Sequence, residues 1–352
     1  MTVRSTPIKN LSKAAFEEWL TDRNQPRFRR DQLRNWLYQK WAVDFSEMRN
    51  IPKPLRRQLE QEFCACSLEL VESQTADDGT VKSLCRLQDG ETIESVLIEA
   101  PERNTVCIST QVGCAVRCSF CASGQAGLVR DLEVAEIVDQ VVLACRQLGK
   151  RVTNVVVMGM GEPLLNYENL EGALDQMNDP HGLGIGARRI TVSTSGIPDG
   201  IRRLADSGRQ WNLALSLHAT TNTQRARLIP ATHRFPLHEI FDACRYYRET
   251  TGRKVTLEYT LLHDRNSSRQ DAERLASIAV DLDAKINLIP YNATVSGHDS
   301  PSPGEVESFH NLLIGLGAST TIRREKGADI QAACGQLRHR HAEETPPSAN
   351  TP

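Results

Sequence analysis

Three cysteines lie within eight residues of one another, in the segment Cys114-Ala-Val-Arg-Cys118-Ser-Phe-Cys121. Cysteine thiolates on one short loop are ligands for iron–sulfur clusters and for zinc. Ferredoxin-type clusters use four cysteines, whereas this segment supplies three, so a cubane cluster bound here would keep one iron open for another ligand. Structural zinc takes four ligands, and no second CxxC or HxxxH follows the segment. The spacing therefore favours an open-cornered [4Fe–4S] cluster over zinc.

A second segment, Gly159-Met160-Gly161-Glu162-Pro163, directly follows the apolar run NVVVM. Glycine lets the backbone approach a ligand closely, and active sites of barrel enzymes form at the carboxyl ends of strands. Taken alone, this segment would be an ordinary tight turn between a strand and a helix. Next to the cysteine segment, it resembles the GGE-type motif with which radical S-adenosylmethionine enzymes hold the amino group of that cofactor.

The elements that must position these residues begin at about residue 104. Short runs rich in β-branched residues alternate with amphipathic helical stretches such as LEVAEIVDQVVLACRQL. This alternation predicts a parallel sheet with crossover helices. About six units are present, which predicts either a partial (β/α)6 barrel or an open doubly wound sheet. The predicted strands are TVCIST, NVVVMG, RITVSTS, NLALSLH, KVTLEYT and KINLIPY.

Two further elements precede this region. Residues 10–62 show helical spacing of Phe16, Trp19 and Leu20, and the pattern resumes after Pro26 in RFRRDQLRNWLYQK. In that second stretch arginines alternate with apolar residues, so the helix has either a solvated basic face or an RNA-contacting one. The apolar residues of the second stretch are Phe28, Leu33, Trp36 and Leu37.

A β-hairpin is predicted over residues 80–100, because TVKSLCRL and ETIESVLIEA flank Gln88-Asp89-Gly90 and Asp-Gly favours hairpin turns. Strand side chains alternate between faces, so Glu94 shares a face with Val96 and Ile98. A carboxylate on an apolar face is costly unless it has a partner or a function. Glu94 is therefore a candidate functional residue.

The amino-acid composition restricts the classes of protein to which this chain could belong. The 352 residues are 39% hydrophobic and 24% charged, as in a globular protein, and no apolar stretch reaches the ~20 residues of a membrane span. The N-terminus lacks the apolar core of a signal peptide, so we expect a cytoplasmic location and a metal or redox role for some of the ten cysteines. Net charge is −2, but residues 1–62 carry 13 Lys or Arg and only 8 Asp or Glu. This asymmetry hints at an N-terminal contact with phosphates.

Six ordered segments within roughly residues 90–337 resemble the RlmN/Cfr family of radical S-adenosylmethionine (SAM) RNA methyltransferases. The match is closest to the RlmN branch, because MGMGEPLLN and AACGQL fit its pattern. The resemblance implies a radical SAM core with a partial (β/α)6 barrel, a small N-terminal helical domain and a β-hairpin. The matching segments are CISTQVGCAVRCSFCASGQAG, NVVVMGMGEPLLN, ITVSTSG, LALSLHA, INLIPYN and AACGQL.

The resemblance also implies residue roles. Cys334 corresponds to the cysteine that becomes S-methylated, Cys107 to its partner in a transient disulfide, and Glu94 to the acid/base carboxylate. Cys114, Cys118 and Cys121 would ligate the [4Fe–4S] cluster. The SAM-binding residues would be Gly161, Glu162, Ser193, Ser216, Leu217, His218 and Asn292.

The implied reaction is methylation of C2 of an adenosine in 23S rRNA, and of the adenosine 3′ of the anticodon in some tRNAs, with two SAM molecules per product. A flavodoxin-type electron donor and a thiol reductant are the expected partners, no membrane is involved, and a monomer is expected. Three alternatives stay open: a Cfr-like adenine-C8 methyltransferase, a radical SAM enzyme with a non-RNA substrate, and a non-catalytic Fe–S protein that binds RNA and senses redox state.

Four regions are expected on this basis: an RNA-contacting accessory domain of residues 1–66, a hairpin extension of residues 67–99, a core of residues 100–337, and a disordered tail of residues 338–352. The target base must leave its stack to reach a pocket above the barrel. Candidate RNA-backbone contacts are the N-terminal basic helix, Arg323-Arg324-Glu325-Lys326 and Arg338-His339-Arg340, each of which could equally be an ordinary solvated surface.

Overall fold

The computed structural model describes residues 5–125, 127–230, 234–292, 297–323, 326–327, 329–332 and 335–337. Within these residues, none of the helices is both long and apolar enough to cross a membrane.

The N-terminal region is helical, as its spacing predicts. The first helix begins at Ser12, whose hydroxyl accepts the Ala15 N–H at 3.1 Å, and it buries Phe16, Trp19 and Leu20. The second helix differs from the predicted apolar stripe at Phe28, which is 56% exposed. The elements are β1 (Thr6–Pro7), α1 (Lys13–Asp22), α2 (Phe28–Arg34), continued by a π-helical turn (Asn35–Gln39), α3 (Lys53–Glu62) and β2 (Phe63–Cys64).

Four antiparallel strands follow. The predicted hairpin is confirmed, since Val81 pairs with Leu97 and Arg86 with Thr92 around the Asp89-Gly90 turn. A strand that the sequence pattern did not indicate precedes the hairpin, and the hairpin continues into the strand that carries Cys107. The strands are β3 (Leu68–Thr75), β4 (Val81–Leu87), β5 (Thr92–Ala100) and β6 (Arg103–Cys107).

The remaining elements alternate between strands and helices. They are β7 (Gln111–Gly113), α4 (Ala122–Gln125), β8 (Leu128–Asp131), α5 (Val134–Leu148), β9 (Asn154–Val157), α6 (Tyr167–Asn178), β10 (Ile190–Thr194), α7 (Pro198–Asp206), β11 (Asn212–Ser216), α8 (Asn222–Leu228), α9 (Leu237–Thr251), β12 (Thr256–Leu261), α10 (Arg269–Asp281), β13 (Lys285–Pro290), α11 (Pro303–Gly315) and β14 (Thr320–Ile322). All six predicted parallel strands are present, and β14 is an additional one.

One ten-stranded sheet has the order β14-β13-β12-β11-β10-β9-β6-β5-β4-β3. Its strands from β6 to β14 are mutually parallel and follow chain order without a reversal. A doubly wound sheet requires a reversal of strand order, so that alternative is wrong. Because each parallel strand adds on the same side, the crossover helices cover one face of the sheet. The other face is the interior of a partial barrel, which does not close among the described residues.

Helix α5 joins the N-terminal region to this sheet. Its amphipathic pattern predicts a solvated side, yet Glu136, Asp139 and Gln140 are all buried. Asp139 pairs with Lys9 at 2.7 Å, with both side chains about 1% exposed, and it also accepts the N–H and hydroxyl of Ser67 at 2.7 Å each. A buried charge is tolerated when it is paired in this way. The N-terminal region therefore packs on what would otherwise be the outer side of the core.

Candidate active site

The three predicted cluster cysteines lie on a loop closed by a two-stranded ribbon. Strands β7 and β8 pair on either side of it, and the Cys114 N–H donates to the Gly127 carbonyl at 2.9 Å. Gly113 has φ +75°, and a Cβ there would lie 1.9 Å from the Gly127 oxygen, so only glycine fits. The loop itself turns at Arg117, which has a left-handed φ of 55°. Local backbone geometry thus brings the cysteines to one end of the barrel.

The cysteine side chains suit a cluster better than a single ion. All three line one cavity, and each is close enough to influence the ionisation of another. Among the described residues, no three His, Cys, Asp or Glu side chains converge where one ion could bind. A cubane needs one thiolate on each of three irons, whereas zinc needs its ligands around one point. The donor set therefore fits a [4Fe–4S] cluster.

Burial controls the charge of two of these thiols. It raises the pKa of Cys114 to about 12 and, together with the neighbouring Cys121 and Cys114, raises the pKa of Cys118 well above its usual value. Without a cation the Cys114 and Cys118 thiols are therefore protonated near neutral pH. Metal ligation requires thiolates, so cluster assembly at this loop must release protons.

The turn after β9 places Gly161 and Glu162 in the same cavity. Gly161 has φ +105°, and a Cβ would lie 2.7 Å from the Gln111 side chain, so the backbone approaches its neighbour too closely for any larger residue. The Glu162 carboxylate is buried and accepts hydrogen bonds from the Thr194 hydroxyl at 2.8 Å and the Ser195 N–H at 2.6 Å. Burial raises the Glu162 pKa, although these hydrogen bonds oppose the shift. This side chain fixes the β9 turn against the end of β10.

The other predicted SAM-binding residues follow the carboxyl ends of the next strands. Ser193 and Ser216 face each other across β10 and β11, with their hydroxyl oxygens 3.3 Å apart, and both line the cavity with His218 and Asn292. Leu217 is the exception, because its side chain is fully buried in the hydrophobic core. Nine of the ten residues assigned to the cluster and SAM therefore share one cavity.

His218 is held as a neutral ring. Its Nδ1 accepts the Thr260 N–H at 3.0 Å, which places the proton of the neutral imidazole on Nε2. Burial, aided by the positive charge of Arg225, lowers the His218 pKa to about 3. The buried Asn266 amide donates to the His218 carbonyl at 2.8 Å and so fixes the backbone there. His218 thus presents a neutral imidazole to the cavity.

Arg225 is a site residue that sequence reasoning missed. Its guanidinium is buried, at 2% exposure, and donates to the Leu217 carbonyl at 2.6 Å, the Ser216 carbonyl at 3.3 Å and the Ser195 carbonyl. Its charge also acts on the Cys118 thiol, whose pKa it lowers against the larger effect of burial. Arginine in a short helix carries no motif, so only its burial and partners reveal this role.

Cys107 lies outside the cluster cavity. It ends β6, is buried, and lines an adjoining cavity inside the barrel. Both cavities share several wall residues, among them Cys121, Asn292 and Gly335. Cys334 lies outside the described residues, but Gly335 follows it directly in the chain. The carbonyls of Gly335 and Leu337 accept hydrogen bonds from residues 122 and 123, at 2.8 and 2.5 Å, just after the cluster loop.

Glu94 is buried on β5, at 1% exposure, as its place on an apolar face predicts. One partner of its carboxylate is Lys82 on β4, whose Nζ lies 3.6 Å from Glu94 Oε1. The Glu94 carbonyl also accepts the Ser109 hydroxyl at 2.8 Å, and the same hydroxyl accepts the Met160 N–H at 2.9 Å. Ser109 thus ties the hairpin to the turn that carries Gly161. Sequence reasoning predicted Glu94 and missed Lys82 and Ser109.

Most of the predicted basic face of α2 is occupied by contacts within the protein. Arg30 pairs with Glu17 and Asp31, and Arg34 pairs with Asp179 at 2.6 Å. These pairs favour the interpretation of α2 as a packing helix over that of an RNA-contacting helix. Of the C-terminal candidates, Arg323 and Lys326 are described, while residues 324–325 and 338–340 lie outside the described residues.

Two family models match the chain. One describes the radical SAM superfamily and covers residues 108–276. The other describes the N-terminal domain of ribosomal RNA large subunit methyltransferases and covers residues 6–65.

Relatives and solved structures agree with these matches. A probable dual-specificity RNA methyltransferase RlmN from Thermotoga neapolitana is 45% identical over 94% of this chain and 98% of its own length. A protein of the same name from Geobacillus kaustophilus is 46% identical, over 96% of this chain and 93% of its own. A radical SAM methyltransferase from Sphaerobacter thermophilus superimposes with a TM-score of 0.91 at 44% identity, covering 94% of this chain and 99% of that one. The chain belongs to the RlmN family of radical SAM RNA methyltransferases, enzymes that use a [4Fe–4S] cluster and SAM.

Proposed function

We propose that this enzyme methylates C2 of an adenosine in the peptidyl-transferase centre of 23S rRNA, and of the adenosine 3′ of the anticodon in some tRNAs. The relatives' dual RNA specificity, at about 45% identity over nearly the whole chain, supports both substrates. One observation carries the proposal: nine residues assigned to the cluster and SAM line one cavity, and the adjoining cavity holds Cys107. Gly335, which directly follows the proposed carrier Cys334 in the chain, lines both cavities.

In this proposal Cys114, Cys118 and Cys121 would hold the [4Fe–4S] cluster, and the other residues of the cavity would hold SAM next to it. The bound cluster and SAM supply the radical chemistry that an unreactive aromatic C–H bond requires. The match of residues 6–65 to a ribosomal RNA methyltransferase domain supports an N-terminal module of residues 1–66 that contacts RNA. We propose the hairpin of residues 67–99 and the core of residues 100–337 as the remaining functional units, with residues 338–352 as a tail.

The chain's own residues then complete the transfer. Cys334 carries the methyl-derived carbon to the base, and Glu94 accepts the ring proton. The Cys107 thiolate next attacks the Cys334 sulfur, so that an S–S bond forms and the C–S bond to the base breaks. The electron pair of the broken bond, with a proton, completes the new methyl group. The unpaired electron that radical addition leaves on the ring would pass to a one-electron acceptor, which the oxidised cluster would supply. An external thiol must reduce the disulfide afterwards, and a flavodoxin-type protein is the proposed electron donor for the cluster.

Both RNA substrates belong to the translation apparatus, so we infer a cytoplasmic enzyme that acts as a monomer. The non-catalytic Fe–S alternative is set aside, because the chain belongs to an enzyme family. The adenine-C8 alternative uses the same cysteines, so the position of the methyl group in the product nucleoside distinguishes the two reactions. A non-RNA substrate is disfavoured by the RNA methyltransferase relatives.

The test is anaerobic reconstitution with SAM, a reductant and either a 23S rRNA fragment or tRNA, followed by mass spectrometry of the nucleosides. We expect 2-methyladenosine from both RNAs. The Cys334→Ala variant should keep its iron and lose methylation, whereas Cys64→Ala, which lines neither cavity, should behave as the unmodified enzyme. Formation of 8-methyladenosine, or methylation by Cys334→Ala, would contradict the proposal.

A further inference from the structure

Lys82 lies on β4, in the antiparallel part of the sheet, and its side chain is on the face that forms the barrel interior. It pairs across strands with Val96 on β5, and Val96 pairs with Cys107 on β6. The three residues therefore form one row across the sheet. Cys107, the proposed disulfide partner of Cys334, is the last of the three. The Lys82 side chain is only 5% exposed, which is rare for lysine.

The buried ammonium of Lys82 contacts two elements. Its Nζ lies 3.6 Å from Glu94 Oε1 and 3.5 Å from the Gln331 carbonyl oxygen. Glu94 is the proposed acid/base carboxylate, and Gln331 lies three residues before Cys334. One cation thus lies between the proton-accepting group and the segment that leads to the carrier cysteine.

The turn between β3 and β4 docks the same C-terminal segment. The Asp77 N–H donates to Asp329 Oδ2 at 3.1 Å, and Asp78 accepts the Gly327 N–H at 3.3 Å. Asp78 also pairs with Lys326 at 3.4 Å. Strand β4 and its preceding turn therefore hold this segment at several points, of which Lys82 is the deepest.

A comparison within the molecule distinguishes Lys82 from an ordinary structural ion pair. The Lys9–Asp139 pair is equally buried, but its nitrogen and oxygen are 2.7 Å apart, as in a charge-assisted hydrogen bond. The Lys82–Glu94 separation of 3.6 Å is too long for such a bond. The Lys82–Glu94 contact is therefore an electrostatic attraction and not a charge-assisted hydrogen bond.

We propose that Lys82 is a positioning residue for methyl transfer, orienting Glu94 and the segment before Cys334 relative to each other. This inference rests on the proposed function. In the step concerned, the ring proton moves to a Glu94 oxygen and the C–H electron pair remains in the ring. Lys82 exchanges no atom or electron and acts through the placement of its two neighbours.

The test compares Lys82→Met with Lys82→Arg and with Lys150→Met. Lys150 forms an exposed pair with Glu99 on the same strand as Glu94, at 3.1 Å, and so controls for the loss of one lysine beside β5. Iron content and cleavage of SAM to 5′-deoxyadenosine should stay within about twofold in all three variants. Methylation of the rRNA fragment should fall about 10- to 100-fold in Lys82→Met, the usual effect of misplacing a reacting group.

A positioning role is identified by the rank order of the variants' methylation rates and by the reaction intermediate that accumulates. Lys82→Arg should recover most of the rate, and Lys150→Met should match the unmodified enzyme. A covalent protein–RNA adduct should accumulate in Lys82→Met, visible on denaturing gels. Normal methylation by Lys82→Met, or a loss of iron in parallel with activity, would overturn the proposal.

Two further measurements distinguish a failure of this inference from misfolding of the variant and from failure of the proposed function. The double variant Lys82→Met/Glu94→Gln should lose less activity than the product of the two single losses, because part of the Lys82 effect acts through Glu94. Tryptic cleavage after Lys326 should be faster in Lys82→Met than in Lys150→Met, because the C-terminal segment has lost a contact. Proteolysis needs no RNA, so this result is independent of the substrate. Equal cleavage rates, or an additive double variant, would contradict the inference.

Discussion

The buried imidazole of His218 predicts a specific dependence of stability on pH. Its folded pKa is about 3, against 6.5 for an ordinary histidine, because burial and then Arg225 disfavour the charged form. Above pH 6.5 both folded and unfolded chains carry a neutral ring, so the group has no effect on stability. Below pH 6.5 the unfolded chain binds a proton that the folded chain refuses. The free energy of unfolding must therefore fall as pH falls from 6.5 towards 3.

The magnitude follows from the two pKa values. Each pH unit between them is worth about 1.4 kcal/mol at 25 °C. Allowing for the partial titration near pH 6.5, the His218 contribution between pH 7.0 and 5.5 is about 1.3 kcal/mol. By pH 4.5 it reaches about 2.5 kcal/mol, a large share of the stability of a typical domain.

The assay is urea unfolding of the reduced, cluster-free protein at these pH values, comparing the unmodified chain with His218→Gln. A glutamine oxygen can still accept the Thr260 N–H, but the side chain does not titrate. We expect the unmodified protein to lose about 1.3 kcal/mol more than the variant between pH 7.0 and 5.5. Equal losses would show that His218 is protonated in the folded state and would refute the argument from burial.

Three other substitutions test the packing that supports the site. Lys9→Met should destabilise the protein by about 3–5 kcal/mol in urea unfolding, because Asp139 keeps a buried charge without its cation, and the added change Asp139→Leu should recover much of the loss. Gly161→Ala should cost about 1–3 kcal/mol for its backbone conformation and weaken SAM binding in equilibrium dialysis, since its Cβ would meet Gln111. Arg225→Met should reduce the iron retained after gel filtration, because the backbone carbonyls of Ser195, Ser216 and Leu217 lose their donor. Unchanged stability, SAM affinity or iron content, respectively, would contradict these expectations.

The sequence predicted the parts of the site that depend on neighbours in the chain. Ligand spacing in Cys114–Cys121 and the glycines before Glu162 act through local backbone geometry, so their pattern is visible in the sequence. The same holds for the six parallel strands, whose apolar runs are set by burial on both faces. Strand β14, which has only three residues and an exposed Ile322, lacked such a run and was missed.

Only the tertiary structure revealed the role of side chains whose partners lie far away in the sequence. Lys82, Arg225 and Lys9 belong to residue types that are usually solvated, and no local pattern distinguishes them from surface lysines and arginines. Their partners lie in other elements, such as Asp139 on α5 and the carbonyl of Gln331. Burial of a charge is a property of the assembled layers, so the sequence could not reveal it.

The sequence by itself therefore determined the kind of chemistry and the six parallel strands, because metal-ligand spacing and strand periodicity are short-range properties. It left the order of those strands in the sheet open. The folded chain decided which charges surround that chemistry and how the N-terminal region packs on α5. Those features arise from contacts between residues far apart in the chain, whose strength depends on the exclusion of water.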